Sequence, residues 1–174
     1  RELGIGMVFQ HFSLFETLSV TENIALCLTP SMREQIGDLA GRIRELSGNY
    51  GLNIDPDRYV FSLSMGERQR VEILRCLIQQ VKLLILDEPT SVLTPQEVDS
   101  LFVVLRQLAA DGCTILFISH KLKEVTALCH NATILRGGRV TGTCIPANET
   151  PESIARMMVG DSAIAETYER RSSK

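Results

Sequence analysis

The chain has 174 residues, enough for one domain with a substantial core. Its composition, 44% hydrophobic and 22% charged, is that of an ordinary globular protein, and a formal net charge of −3 argues against a surface built for nucleic acid. The longest apolar run, residues 81–86, contains Lys82 and is too short to span a bilayer, so a membrane role requires a partner. The five scattered cysteines contain no CxxC pair, which argues against a zinc site or a disulfide framework.

The chain opens directly on a predicted buried strand over residues 5–9. Because a domain rarely begins in the middle of a sheet, we expect the chain to be a piece of a longer protein. Residues 11–75 are predicted to be mainly helical. Ser19 and Glu22 have the spacing of a capping box and predict a helix that stops near Pro30.

Two more features are predicted within the helical region, and from residue 64 onward the chain alternates between helices and strands. In the helical region, residues 39–46 predict a second helix, and Asp55-Pro56 pairs an N-cap with a proline at the first helical position. Further helices are predicted over 64–80, 94–110, 121–129 and 150–159, and Thr94 and Glu97 have the spacing of another cap at the start of the second of these. Strands are predicted over 82–86 and 114–119, with a hairpin over 132–136 and 139–143 that turns at Gly137-Gly138. This alternation predicts a mainly parallel sheet covered by helices on both faces, with ligands at the carboxyl ends of its strands.

Two carboxylates, Asp87 and Glu88, follow the apolar strand directly. Because side chains alternate along a strand, the two point in different directions, so one carboxylate can hold a metal while the other meets a nucleophilic water. Mg²⁺ suits such a place, since it binds one or two carboxylates together with waters and phosphate oxygens. A buried strand that simply ends in an acidic loop is the alternative interpretation of the same residues.

A second group of candidates lies at the start of the helix over 64–80. Ser64 and Glu67 form another capping box, and Gly66 has no side chain to obstruct a ligand. The free N–H groups and positive dipole of a helix start bind anions, although a plain capped helix is also common.

Two isolated polar residues also fall at the carboxyl ends of predicted strands. His120 follows the strand over 114–119 and could reach a terminal phosphate, while Gln10 follows the first strand and could orient a water or a metal ligand. Each is weak evidence alone, since a lone histidine is more often structural than catalytic.

Taken together, these residues resemble the ATP-binding cassette of ABC transporters in both order and spacing. The resemblance covers about residues 3–160 and is carried by five segments. Leu-Ser-Met-Gly-Glu-Arg-Gln-Arg at 63–70 resembles the signature motif, and residues 83–88 resemble the Walker B strand with its catalytic glutamate. Residues 91–94 resemble the D-loop, His120 resembles the switch histidine, and Gln10 resembles the Q-loop glutamine. The sequence contains no GxxxxGK[ST] string, the P-loop that cradles phosphates in this family. Residues 87–97 and 154–160 resemble, more narrowly, the first cassette of bacterial double-cassette importers of simple sugars or nucleosides.

The resemblance implies a fold class: α/β, a partial P-loop NTPase (RecA-like) with a mainly parallel sheet and a helical signature subdomain. It divides the chain into a remnant core strand with the Q-loop (1–10), the helical subdomain ending in the signature helix (11–75), the core with Walker B, D-loop and switch histidine (76–160), and a flexible tail (161–174).

The resemblance also implies roles for the site residues, with ATP and Mg²⁺ as cofactors. Asp87 would support Mg²⁺, Glu88 would polarise the attacking water, His120 would contact the γ-phosphate, and Gln10 would sense the metal. Ser64, Met65, Gly66 and Glu67 would close over ATP held by the opposite cassette of a head-to-tail dimer.

The implied partners are transmembrane permease subunits, a second cassette in a separate subunit or in the same polypeptide, and indirectly a solute-binding protein, but no nucleic acid. The segment 9–15 would supply apolar anchors for the permease, and the implied location is the cytoplasmic face of the cell membrane. The parent protein would be an ATPase, while this chain alone would be inactive for lack of the P-loop.

Two alternatives remain open at this stage. A non-hydrolysing half-site that completes a partner's ATP site is favoured by the missing P-loop, whereas Glu88 and His120 favour hydrolysis. A DNA-repair or translation ATPase sharing the cassette is disfavoured by the net charge and by the absence of coiled-coil or basic insertions.

One departure from the family also matters: the D-loop ends in Thr94 rather than aspartate, which puts communication between two ATP sites in doubt.

Overall fold

The computed structural model describes residues 3–159. Three parallel strands form its main sheet, in the order β1-β2-β3: β1 (Ile5–Val8), β2 (Leu83–Asp87) and β3 (Thr114–Ile118). Leu83 of the central strand pairs with Ile5 on one side and Thr114 on the other. The parallel sheet predicted from the sequence is therefore confirmed.

Helices account for most of the remaining described residues. They are α1 (Val20–Ala25), α2 (Pro30–Ile36), α3 (Leu39–Asn49), α4 (Met65–Ile78), α5 (Pro95–Ala110), α6 (Leu122–Leu128) and α7 (Pro151–Val159), with short 3₁₀ turns at Val60–Ser62 and Pro146–Asn148. Three of these helices begin with a capping box, in which an N-cap hydroxyl and a glutamate three residues later bind each other's backbone N–H groups. Those three helix starts were predicted from the spacing of their residues.

The sequence prediction was wrong at two prolines in the helical region. Pro30 does not stop a long first helix: α1 ends at Ala25, and Pro30 is the first residue of α2 behind the N-cap Thr29. Asp55 does not begin a helix, because its carboxylate accepts the N–H of Asp57 in a local turn, at 3.0 Å. A proline at a helix start and one after a turn-forming aspartate look alike in sequence, and tertiary packing decides between them.

The two faces of the sheet differ in burial. On one face Val8, Leu84 and Leu86 are at most 1% exposed. On the other face apolar side chains remain accessible, with Leu116 at 51% and Ile118 at 44% exposure. The expectation that helices cover both faces is therefore wrong for this second face, and the sheet presents an apolar surface to solvent.

The described residues fall into two compact units, residues 3–118 and 119–159. The first holds the sheet and α1 to α5. The second holds α6, α7 and the hairpin of β4 (Ala132–Arg136) and β5 (Arg139–Cys144), whose turn glycines both have positive φ, as predicted. The fourfold division into residues 1–10, 11–75, 76–160 and 161–174 stays a prediction, and its tail lies outside the described residues.

None of the helices among residues 3–159 is long and apolar enough to cross a membrane.

Candidate functional site

The Walker B-like residues lie at the end of the central strand. Asp87 is the last residue of β2, is half-buried and pairs with Ile118 of β3. The next N–H, of Glu88, donates to the Ile118 carbonyl oxygen at 3.0 Å. Glu88 has a φ of 46°, which is uncommon for a residue other than glycine. A left-handed residue of this kind costs about 1 kcal/mol or more, and it persists where the surrounding structure fixes it, here through the bond to β3.

The segment after Glu88 is a compact series of turns. Ser91 N–H donates to the Glu88 carbonyl at 3.2 Å, and Leu93 N–H donates to that of Thr90 at 3.3 Å. Thr90 is 1% exposed. The turns lead to Thr94, which is the N-cap of α5. The D-loop position therefore continues directly into a helix start.

The remaining candidates at strand ends occupy different parts of the fold. Gln10 is exposed and lies two residues past β1, at the same carboxyl edge as Asp87 and Glu88, because the strands are parallel. His120 belongs to the second unit, where it is exposed in the short connection before α6. Next to it, the Ser119 hydroxyl accepts the Lys121 N–H at 3.0 Å.

The signature-like residues form the N-terminus of α4. The Ser64 hydroxyl accepts the Glu67 N–H at 3.2 Å, and a Glu67 carboxylate oxygen accepts the Ser64 N–H at 2.8 Å. The second Glu67 oxygen pairs with the Arg58 guanidinium at 2.5 Å. Burial alone would raise the pKa of Glu67, but the Ser64 N–H and Arg58 together lower it, so the carboxylate is held ionised. Met65, the first residue of the helix, is 49% exposed.

Gly66 is contacted on one side by a carboxylate from α5. A Cβ at this position would lie 2.1 Å from Oε1 of Glu97, so the carboxylate from the first turn of α5 rests against the glycine. The other oxygen of Glu97 accepts the Thr94 N–H at 2.9 Å. That hydrogen bond, followed by the hydroxyl of Thr94, the charge of Arg70 and the backbone of Gly66, lowers the pKa of Glu97.

A second carboxylate missed in the sequence lies midway along α4. Glu72 is 1% exposed, accepts the Ser13 N–H at 2.8 Å and forms an ion pair with Arg75. Burial outweighs both partners and raises its pKa. Ser13 follows the Q-loop position by three residues, so this contact anchors the chain leaving the sheet edge to α4. A glutamate on the apolar side of a helix was the only signal in the sequence.

The chemistry of the edge suits a divalent cation that brings further ligands with it. No cluster of three or more His, Cys, Asp or Glu side chains that could hold a metal occurs within residues 3–159. Mg²⁺ binds one or two carboxylates, and waters and phosphate oxygens complete its coordination. Asp87, at the end of its strand, can provide one such carboxylate. The phosphate cradle of a P-loop has no counterpart in the sequence.

The sequence matches the model of a known protein family. A family model described as ABC transporter matches residues 1–91, over half of the chain. The chain belongs to the ABC transporter family. The resemblance of residues 63–70 and 83–88 to that family's motifs is thereby supported by a match that extends to the beginning of the chain.

Several ABC import proteins are similar over nearly the whole chain. The nucleoside import ATP-binding protein NupA of Lactococcus lactis subsp. cremoris (strain MG1363) is 41% identical over 162 residues, which cover 92% of this chain and 32% of that protein. The ribose import ATP-binding protein RbsA 3 of Rubrobacter xylanophilus is 40% identical, over 92% of this chain and 33% of that protein. This chain therefore spans about a third of the length of the curated relatives it matches.

Solved structures agree on the fold. CbiO1 of Clostridium perfringens, part of the ABC transporter complex CbiONQ, superposes with a TM-score of 0.72 at 26% identity, covering 97% of this chain and 68% of that one. A metal-chelate type ABC transporter in an inward-facing conformation gives a TM-score of 0.74 at 24% identity, which speaks for the fold alone. The predicted fold class, α/β with the parallel sheet of a P-loop NTPase, is confirmed.

Proposed function

We propose that the chain is part of the ATP-binding subunit of an ABC importer, which couples ATP hydrolysis to the import of a small solute such as a sugar or nucleoside. The observation that carries the proposal is the pair Asp87 and Glu88 at the carboxyl end of a central parallel strand, followed in the same unit by the turns that lead into α5. The solute class rests on the relatives, which are named for the import of nucleosides, glucose and ribose.

The residues at the sheet edge divide the chemistry between them. Asp87 would hold Mg²⁺, which when bound neutralises charge on the phosphates of ATP. Glu88, the residue directly after the end of β2, polarises the attacking water. Gln10 orients the metal ligands or the water from the end of β1. The family resemblance assigns the contact with the γ-phosphate to His120, a residue of the second unit.

The start of α4 serves the opposite cassette of a head-to-tail dimer. Its N-terminal N–H groups and dipole favour an anion, and the capping box at Ser64 and Glu67 fixes their direction. Ser64, Met65 and Gly66 would then meet the terminal phosphate of ATP held by that partner. Because α4 has 14 residues, the partial charge at its start is fully developed.

An exposed aromatic patch formed by Tyr59 and Phe61 supports docking on a permease subunit, together with exposed residues of the segment 9–15. Phe9 and Phe15, in the segment predicted to supply apolar anchors, are 48% and 60% exposed. Tyr59 and Phe61, missed in the sequence, stack with ring centroids 5.9 Å apart, and the Phe61 N–H donates to the Glu16 carbonyl at 3.1 Å. We infer that this patch binds the permease at the cytoplasmic face of the membrane, with a solute-binding protein as an indirect partner.

The missing P-loop predicts weak nucleotide binding by these 174 residues alone. In this family the P-loop supplies most of the phosphate-binding N–H groups, so the remaining site would present two carboxylates to a polyanion. The second candidate function is a non-hydrolysing half-site that completes a partner's ATP site. Glu88 and His120 favour hydrolysis.

The test is steady-state ATP hydrolysis by the complete gene product beside its Glu88→Gln variant. We expect the wild type to hydrolyse ATP and the variant to bind ATP with kcat lowered about 100-fold or more, because a general base contributes that much. Asp99→Asn is the matched control, since it removes the same charge from an exposed position on α5. ATP binding without turnover by both the wild type and the variant would establish the half-site instead.

A further inference from the structure

The contact between Glu97 and Gly66 joins two segments that serve different ATP sites in the proposed function. Glu97 lies in the first turn of α5, directly after the turns that follow Glu88. Gly66 lies in the first turn of α4, whose start would meet ATP held by the opposite cassette. Any mechanical link between the two would therefore couple a cassette's own site to the one it completes.

We propose that Glu97 is a positioning residue that clamps the end of the D-loop segment to the start of the signature helix. This inference rests on the proposed function. One carboxylate oxygen, Oε2, accepts the Thr94 N–H at 2.9 Å and the Thr94 hydroxyl at 3.0 Å. The other, Oε1, lies against Gly66 so closely that a Cβ there would be 2.1 Å away. Both oxygens are thus used, one on each segment.

The charges around the clamp support an ionised carboxylate. The Thr94 backbone N–H, the Thr94 hydroxyl and the charge of Arg70 all stabilise the anion. Arg70 also lines a small cavity of about 90 Å³ together with Gly66, Glu97 and Gln69, so the clamp lies at the wall of this cavity. The Gln69 side-chain amide nitrogen is buried there, and the described residues give it no hydrogen-bond partner.

The clamp also bears on the departure at Thr94. This family's D-loop usually ends in aspartate, and Thr94 supplies no carboxylate. Glu97 places one three residues later, anchored to the Thr94 hydroxyl and reaching α4 within the same chain. A carboxylate from the first turn of α5 therefore joins the end of the D-loop position to the start of α4 within one chain.

The first arm of the test asks whether the contact exists in solution and needs no enzymatic activity. Gly66→Ala is expected to lower the Tm of the chain by about 2 °C, since the new methyl group displaces the Glu97 carboxylate from its place against residue 66. In a Glu97→Ala background the loss should disappear, because the space is then open and alanine is the better helix former. Gly48→Ala is the control glycine, with nothing within 4 Å of its added Cβ, and should shift the Tm equally in both backgrounds.

The second arm asks whether the contact positions the catalytic segments. In the complete gene product, Glu97→Gln should lower kcat about tenfold and change KM for ATP less than twofold. The loss in kcat is smaller than the roughly 100-fold expected when a catalytic group is misplaced by about 1 Å. Glutamine still forms a capping box, so the Tm should stay within about 2 °C. Its amide has one acceptor oxygen and cannot serve both segments.

Each outcome decides a separate question. Equal Tm losses for Gly66→Ala in both backgrounds would overturn the clamp, and so would a Glu97→Gln variant with wild-type kcat. Asp99→Asn should keep the wild-type kcat; a matching loss there would assign the effect to net charge and also overturn the clamp. A wild type that hydrolyses no ATP would overturn the proposed function instead, and the Tm comparison would still decide whether the clamp exists.

Discussion

Two glutamates, one within α4 and one packed against its start, show opposite electrostatic behaviour. Glu72, in the middle of the helix, is 1% exposed, and burial raises its pKa in spite of Arg75 and the Ser13 N–H. Glu97 meets the helix start from α5, where hydrogen bonds from Thr94 lower its pKa. The same side chain is thus stabilised as an acid in one place and as an anion in the other. The number of N–H and O–H donors relative to the depth of burial decides which occurs.

The largest expected effect is at the buried glutamate. Glu72→Ala should lower the free energy of unfolding by about 3 kcal/mol, because it leaves the largely buried Arg75 guanidinium without its carboxylate and also removes the hydrogen bond from the Ser13 N–H. Glu45→Ala is the matched control: Glu45 pairs with Arg42 at 2.6 Å and the same helical spacing, but in solvent. Its loss should cost about 0.5 kcal/mol or less. Urea unfolding of the chain measures both, and equal costs would show that burial of Glu72 does not matter.

A smaller effect is expected at the cap that holds Glu97. Thr94→Ala should cost about 1 kcal/mol, since the hydroxyl that caps α5 and binds the Glu97 carboxylate is removed. Thr94→Ser keeps the hydroxyl and should stay within about 0.5 kcal/mol of the wild type in the same unfolding experiment. A serine variant as unstable as the alanine variant would assign the effect to the methyl group of Thr94 instead of its hydroxyl.

The smallest effect is the pH dependence, where the two glutamates should differ in sign. Glu72 has a folded pKa above its ordinary value of 4.5, so its contribution to stability is present below 4.5 and is lost as the pH rises through the folded pKa. The advantage of the wild type over Glu72→Gln should therefore grow as the pH falls from neutral toward 4.5.

Glu97 should behave in the opposite way. Its folded pKa is below 4.5, so its contribution is present above that pH and is lost as the pH falls through the folded pKa. The advantage of the wild type over Glu97→Gln should hold from neutral to 4.5 and shrink only below it. Unfolding curves of the two variants over this range check both signs, and parallel trends would contradict the comparison.

The sequence predicted those parts of the molecule that local chemistry determines. The capping boxes at Ser19, Ser64 and Thr94, the Gly137-Gly138 turn and the parallel sheet were all predicted. Their signals lie within a few residues of each other, so no tertiary contact is needed to interpret them.

The contacts around α4 could not be predicted in this way. Ser13 and Glu72 are 59 residues apart, and no local pattern brings them together. The contact of Glu97 with Gly66 likewise depends on how α5 packs beside α4, although Glu97 was already identified as the capping partner of Thr94. The proline errors at 30 and 56 have the same origin, since the surrounding fold decides whether a proline follows a cap or a turn.

The left-handed backbone at Glu88 affects which substitutions are favoured at this position. Glutamine at this position has the same backbone preferences, so Glu88→Gln keeps the strain and isolates the chemistry. Glycine adopts a φ of 46° without that cost, so Glu88→Gly would remove the proposed base and relax the chain in one step. If Glu88 is the proposed base, the backbone conformation at this position therefore favours a residue that cannot support hydrolysis, and the glutamate is kept there against that preference.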